Sequence, residues 1–126
     1  MNIRTLQRGL AYRGKVESSR QSYHVFEASD YFFVLSFARS RARRGSGYFN
    51  VVSKAAVQFV HRRLGGTTRV TAKDAFGIAR RTKHIPTRLM ALNILYVLVA
   101  LGQGRILRAG EHRQLFFRIR KLRSSA

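Results

Sequence analysis

The sequence predicts an α+β fold in which a small antiparallel β-sheet precedes three helices and a β-hairpin. Aromatic and β-branched residues crowd positions 23–37, which is typical of strands. Apolar residues then recur at helical spacing over positions 54–101. Hydrophobic residues make up 45% of the 126 residues, which is the fraction of a folded domain and argues against a disordered basic tail.

The first fifty residues divide into two parts. Residues 1–21 are polar and basic without a clear period, and we expect either a basic arm that binds a partner or a solvated, disordered terminus. Residues 22–52 are expected to form the small antiparallel sheet, with an arginine-rich loop at Ala38–Gly47 before its last strand. The expected strands are Tyr23–Glu27, Tyr31–Phe37 and Tyr48–Val52.

Capping residues mark the first two helices. Ser53 is a preferred N-cap residue, and the two glycines after Leu64 stop the helix that we expect at Lys54–Leu64. Thr71 and Asp74 have the spacing of a capping box, which predicts a second helix from Thr71 to Arg81.

Pro86 precedes the third helix, which we expect at Thr87–Leu101. Beyond it, strands at Arg105–Ala109 and Arg113–Lys121 with a glycine-containing turn between them predict a hairpin. Three helices followed by a hairpin is the order of a winged helix, so residues 53–126 are expected to form a winged-helix domain with a basic C-terminal tail. Whether the first strands pack against this hairpin or form a separate lobe is left open.

Three short motifs within residues 53–122 point to a family. Val70-Thr71 opens the second helix, Gly104-Arg105-Ile106 begins the first strand of the hairpin, and His112-Arg113 precedes the last strand. In these motifs the chain resembles the winged-helix protein of the small ribosomal subunit of archaea and eukaryotes. The resemblance implies binding to ribosomal RNA through arginines of the wing and of the second helix. The N-terminal fifty residues depart from the family pattern, and the third helix lacks the charged residues expected there.

The charge balance predicts the class of partner. The chain carries 25 Lys plus Arg against 5 Asp plus Glu, which gives a formal net charge of +20. Like charges on one small domain destabilise its compact state, so a polyanionic partner is expected. Twenty of the cations are Arg, whose planar guanidinium binds phosphate through two parallel hydrogen bonds and stacks on bases. The charge therefore indicates a nucleic-acid-binding protein.

Three arginine clusters supply the candidate nucleic-acid-binding residues. One is the loop at the tip of the sheet, one surrounds the ends of the helices, and one covers the hairpin and the C-terminal tail. The alternatives are a solvated run of charge for the loop and helix-dipole capping for the helix ends. The candidates are Arg39, Arg41, Arg43, Arg44, Arg62, Arg63, Arg69, Arg80, Arg81, Lys83, Arg88, Arg105, Arg108, Arg113, Arg118, Arg120, Lys121 and Arg123.

The last strand and the third helix indicate how a nucleic acid would be contacted. Arg118 and Arg120 project from one face of the last strand, as a track of phosphates requires, whereas Phe116 either packs on the protein surface or stacks on a base. The third helix is apolar all round and offers base edges little beyond Thr87, Arg88 and Asn93. We therefore expect contacts to phosphate and sugar. This favours structured RNA, which proteins recognise largely by shape, and also allows non-specific duplex DNA.

The composition argues against an enzyme and against a cofactor or metal site. The five carboxylates are dispersed, so no cluster is expected to hold a divalent ion. The four histidines lack the spacing of metal ligands, and there is no cysteine. Leu89–Leu101 is too short to cross a bilayer, and no apolar signal segment is visible at the N-terminus. We expect a cytoplasmic protein without a membrane or small-molecule partner.

The leading hypothesis is a structural RNA-binding protein, ribosomal or ribosome-associated, with rRNA and neighbouring ribosomal proteins as partners. The alternative is an archaeal or viral winged-helix DNA-binding protein, either a transcription regulator or a chromatin protein, which predicts a dimer. A membrane-surface protein is the weakest hypothesis, because the sequence lacks a basic amphipathic helix.

Overall fold

The fold begins with a four-stranded antiparallel sheet. The structure is a computed structural model of the chain, and it describes residues 10–18, 21–38, 47–79, 87–107 and 115–121. The strands lie in the order β1-β2-β3-β4, so that each pairs with the next one along the chain. Their bounds are β1 Ala11–Glu17, β2 Gln21–Glu27, β3 Tyr31–Ala38 and β4 Gly47–Ser53.

Three helices and a two-stranded hairpin follow within the described residues. The helices are α1 Lys54–Leu64, α2 Ala72–Ala79 and α3 Arg88–Ala100. The hairpin consists of β5 Gly104–Leu107 and β6 Phe116–Ile119, which pair antiparallel. Among the described residues, no helix has the length and apolar character needed to cross a membrane.

The predicted helix caps are confirmed. The Ser53 side chain accepts a hydrogen bond from the Ala56 backbone N–H at 3.1 Å and so begins α1. Before α2, the Thr71 hydroxyl accepts from the Asp74 N–H at 3.1 Å, and the Asp74 carboxylate accepts from the Thr71 N–H at 3.0 Å. This reciprocal pair is a capping box. The sequence placed Thr87 inside the third helix, but it is the N-cap of α3, since its hydroxyl accepts a hydrogen bond from the Met90 N–H at 3.1 Å.

Helix α3 is the centre of the core. Its side chains Ile94, Leu95 and Leu98 are fully buried, and the helix packs against the sheet, against α1 and α2, and against β5. Tyr96 stacks on Tyr23 of β2, with ring centroids 4.0 Å apart. Since a helix that is apolar on all sides needs cover on all sides, the sheet and the other two helices each supply part of it.

The predicted winged helix is wrong, although the α+β class is right. The first sheet has four strands rather than three, and β1 lies within residues 1–21, where an arm was expected. Helix α3, which a winged helix would leave free to enter a groove, is instead covered by the four-stranded sheet, by α1 and α2 and by β5. The order of elements alone suggested a wing, but the apolar surface of α3 requires the sheet as a second layer.

The first sheet does not form a separate lobe, because the sheet, the helices and the hairpin share one continuous hydrophobic core. Val16, Val25 and Val34 of the sheet belong to the same buried cluster as Leu95 of α3 and Phe117 of β6. Residues 1–9 of the predicted arm and the loop that joins β3 to β4 lie outside the described residues.

Candidate nucleic-acid interface

An open groove with basic walls runs along the hairpin and the ends of two helices. Its volume is about 740 Å³. We call it the basic groove. Its lining residues are Gly66, Gly102, Gly104, Arg105, Arg118, Ile119, Arg120 and Lys121.

Strand alternation places the arginines of β6 in this groove. Phe117 and Ile119 point into the core and are 0% and 1% exposed, whereas Arg118 and Arg120 point outward and are exposed. The sequence prediction that Arg118 and Arg120 share one solvent face is therefore confirmed. The apolar residues of β6 anchor the strand, and this anchoring fixes the direction in which its cations project.

The hairpin register brings a third arginine against these two. Arg105 of β5 lies directly opposite Arg118 of β6 in the antiparallel pairing. Like charges at directly opposed positions destabilise a sheet. None of the three ion pairs among the described residues involves Arg105, Arg118 or Arg120. An anion bound between the two strands would remove this repulsion.

Backbone hydrogen bonds hold β6 from both sides. The Arg120 N–H donates to the Gln103 carbonyl at 2.9 Å on one side, and the Gly66 N–H donates to the Ile119 carbonyl at 2.8 Å on the other. His61, which is buried near the end of α1, donates from Nε2 to the Arg120 carbonyl at 3.0 Å. Because the acceptor is a carbonyl, this contact requires a proton on Nε2. These hydrogen bonds fix the backbone of Ile119 and Arg120, which line the basic groove.

Arg69 extends the basic surface beyond β6. Its guanidinium lies over the ring of Phe116, with the central carbon 4.4 Å from the ring centroid. Phe116 is on the same face of β6 as Arg118, so the aromatic ring supports a cation beside the groove. Of the two roles expected for Phe116, the structure shows packing on the protein surface.

The other described candidates lie at helix ends. Arg62 and Arg63 are exposed in the last turn of α1, where they also complement the helix dipole. Arg88 is exposed in the first turn of α3, whereas the basic groove follows the last turn. A helix of 13 residues is about 20 Å long, so the structure does not bring Arg88 to the groove.

The remaining candidates lie outside the described residues. They include the whole predicted loop cluster, three cations between residues 80 and 83, two arginines of the predicted hairpin strands and the arginine of the predicted tail. These are Arg39, Arg41, Arg43, Arg44, Arg80, Arg81, Lys83, Arg108, Arg113 and Arg123.

Most of the described carboxylates lie on the first sheet, away from the groove. Glu27 forms ion pairs with Arg13 at 3.2 Å and with Lys54 at 2.6 Å, and Glu17 pairs with Lys15 at 2.8 Å. The hydrogen bond from Lys54 holds the pKa of Glu27 below its ordinary value. Acid and base are thus balanced on the sheet, whereas the groove carries cations without a described counterion.

Sequence reasoning missed a second feature, the aromatic outer face of the first sheet. Phe33 and Phe37 of β3 and Phe49 of β4 point away from the core, and Phe49 is 48% exposed. The unbroken apolar run of β3 predicts a strand covered on both faces. The aromatic residues at three of the four outward positions, Tyr31, Phe33 and Phe37, were the signal in the sequence for an uncovered face.

The described part of the chain contains no group of three or more His, Cys, Asp or Glu side chains placed to hold a metal ion. No protein-family model matches this chain, and comparisons with curated proteins and with solved structures give no significant match.

Proposed function

We propose that this protein is a structural RNA-binding protein that holds folded RNA by its phosphates, as a ribosomal or ribosome-associated component. The main support is the pairing of Arg105 with Arg118 across the hairpin, next to Arg120 and Lys121. None of these four cations forms an ion pair with a carboxylate among the described residues. The net charge of +20 gives this cluster a long-range attraction for a polyanion.

Burial of α3 supports phosphate contact over reading of bases. A protein that reads duplex DNA with a helix must present polar side chains of that helix to the major groove. In α3, Asn93 is buried and its side-chain amide donates to the Leu89 carbonyl at 3.0 Å, so this polar group is already engaged. We also propose that the protein acts in the cytoplasm, without catalysis or a cofactor, and next to other ribosomal proteins.

The test compares a folded rRNA fragment with a random DNA duplex of equal length at matched salt. Fluorescence anisotropy should show tighter binding to the RNA, since the cations are arranged for a shape rather than for a base sequence. With about eight phosphates contacted, the slope of log affinity against log salt should lie near −6 to −7. Equal or tighter binding to the DNA duplex would refute the RNA assignment and leave a non-specific DNA-binding protein.

A matched pair of variants localises the contact. Arg118→Gln removes one charge from the basic groove, and Lys73→Gln removes one exposed charge from α2, outside the residues that line the groove. Both change the net charge equally, so long-range attraction falls equally in the two variants. Only Arg118→Gln should reduce the magnitude of the salt slope, by about one unit.

A further inference from the structure

The outer face of the four-stranded sheet is a second exposed surface with its own chemistry. We define the outer sheet face by Tyr12, Tyr31, Phe33, Phe49 and Val51. Four of these side chains are strongly exposed: Tyr12 and Tyr31 at 49%, Phe49 at 48% and Val51 at 39%. An antiparallel sheet with one face on the core ordinarily presents polar residues on the other. In this sheet, the face that is exposed to solvent carries aromatic side chains instead.

Register and burial show that these side chains share one face. Phe33 pairs with Val51 across β3 and β4, whereas the alternate pair Phe32 and Val52 is buried in the core. On β1, Tyr12 pairs with Phe26 of β2, and Phe26 in turn pairs with Phe33. The rings therefore extend across all four strands on the side opposite the helices.

The rings are held in fixed orientations. Phe33 and Phe49 lie nearly parallel, with an interplanar angle of 24° and centroids 5.3 Å apart. The Tyr12 hydroxyl is 3.0 Å from Nδ1 of His24, and the Tyr12 ring contacts the Phe26 ring at 5.2 Å between centroids. Side chains fixed in this way lose little conformational entropy when a flat partner is added.

We propose that the outer sheet face binds unpaired nucleobases of a single-stranded RNA segment by stacking, with Phe49, Phe33 and Tyr31 as the platform. This inference rests on the proposed function and adds a second mode of contact to it. Exposed aromatic rings on a sheet accept any base, because every base has a π-face. At the β1 edge, Lys15 lies opposite His24 and forms an ion pair with Glu17, so the attraction for the RNA backbone comes from the net charge of the chain rather than from a free cation at this edge.

The net charge of the chain favours RNA over a second copy as the occupant. Two chains of +20 repel each other as they approach, whereas a polyanion is attracted. Aromatic rings dominate the outer sheet face, and the aliphatic residues on this side of β3 and β4 are Leu35 and Val51. Charge and ring geometry together are complementary to a single strand with its bases unstacked.

The experiment uses a 12-nucleotide uridine-rich RNA strand with one 2-aminopurine, whose fluorescence reports stacking. Phe49→Ala should weaken binding of this strand at least about fivefold, since base–aromatic stacking is worth about 1–3 kcal/mol per base. Phe49→Tyr keeps a ring and should restore both the affinity and the fluorescence change. Tyr48→Ala is the matched control. Tyr48 is 67% exposed but pairs with Ser36, which is buried on the core side, so its loss should leave binding unchanged.

Each alternative outcome decides between the two surfaces. If Phe49→Ala binds the single strand as the native chain does, while Arg118→Gln loses affinity for folded RNA, stacking is overturned and the basic groove remains. If the native chain binds neither RNA, both proposals fail. Sedimentation supplies the last test: a native dimer that Phe49→Ala converts to a monomer would assign the outer sheet face to a second copy and overturn stacking.

Discussion

Arg118 should be the residue at which stability and binding change in opposite directions. Its partner across the hairpin is Arg105, and a cross-strand pair of like charges costs about 0.2–1 kcal/mol. Arg118→Gln removes that repulsion and keeps the strand conformation. Unfolding entropy is about 2.1 cal/mol/K per residue, so for 126 residues each 1 kcal/mol corresponds to about 4 °C. The melting temperature of the free protein should therefore rise by about 1–4 °C.

The same substitution should weaken binding to RNA. A hydrogen bond to a charged group contributes about 1.5–3 kcal/mol, and solvent exposure places Arg118 at or below the lower end. We expect an affinity loss of about three- to tenfold at low salt, from a free-energy change near 1 kcal/mol. Calorimetric melting of the free protein and anisotropy titration at several salt concentrations measure the two effects separately.

Two results would refute this reasoning. An unchanged affinity and salt slope would remove Arg118 from the interface. A fall of several degrees in the melting temperature would show that Arg118 stabilises the free protein, so the arginine pair would have no energetic cost for an anion to relieve.

Three further experiments, which use five substitutions, test the fold and its electrostatics. Leu95→Asp should unfold the protein because it buries an unpaired charge in α3. Leu89→Asp, at a position 59% exposed on the same helix, should still fold. Circular dichroism measures the helix content of both variants. Gly66 has φ +88°, so Gly66→Ala should lower the free energy of unfolding, measured in urea, by about 1 kcal/mol. Gly77 lies inside α2 with open space around it, so Gly77→Ala should raise the free energy of unfolding by about 0.4–1 kcal/mol. Because the pKa of Glu27 is lowered, its ionised carboxylate stabilises the fold at pH values above its ordinary pKa of 4.5. This contribution is lost as the pH falls through the lowered pKa. Thermal melts of Glu27→Gln at a series of pH values should therefore lack this part of the acid destabilisation.

Local signals were sufficient for the helices. Ser53 and the Thr71–Asp74 pair satisfy backbone groups within their own turns, so the sequence around them determines where α1 and α2 begin. Helix α3 was predicted at Thr87–Leu101 and runs over Arg88–Ala100, with the predicted end residues acting as its caps. Such contacts connect residues three or four apart, and a single sequence contains them in full.

Non-local pairing explains what the sequence did not reveal. Strand β1 has a single buried side chain, Val16, and its other side chains are exposed or half-buried, so its strand character comes from pairing with β2. The opposition of Arg105 and Arg118 depends on the hairpin register, which composition does not determine. The two-residue period could place Arg118 and Arg120 on one face, but it could not identify the residue across from them.

Strand β1 and the last turn of α3 meet at one crowded point. A Cβ at Gly14 would lie 3.2 Å from the Ala100 carbonyl oxygen, so only glycine lets β1 approach the last turn of α3 this closely. That turn leads within a few residues to Gly102 and Gly104, which line the groove. A side chain at position 14 would therefore have to displace either β1 or the end of α3, the helix that precedes the arginine-bearing hairpin.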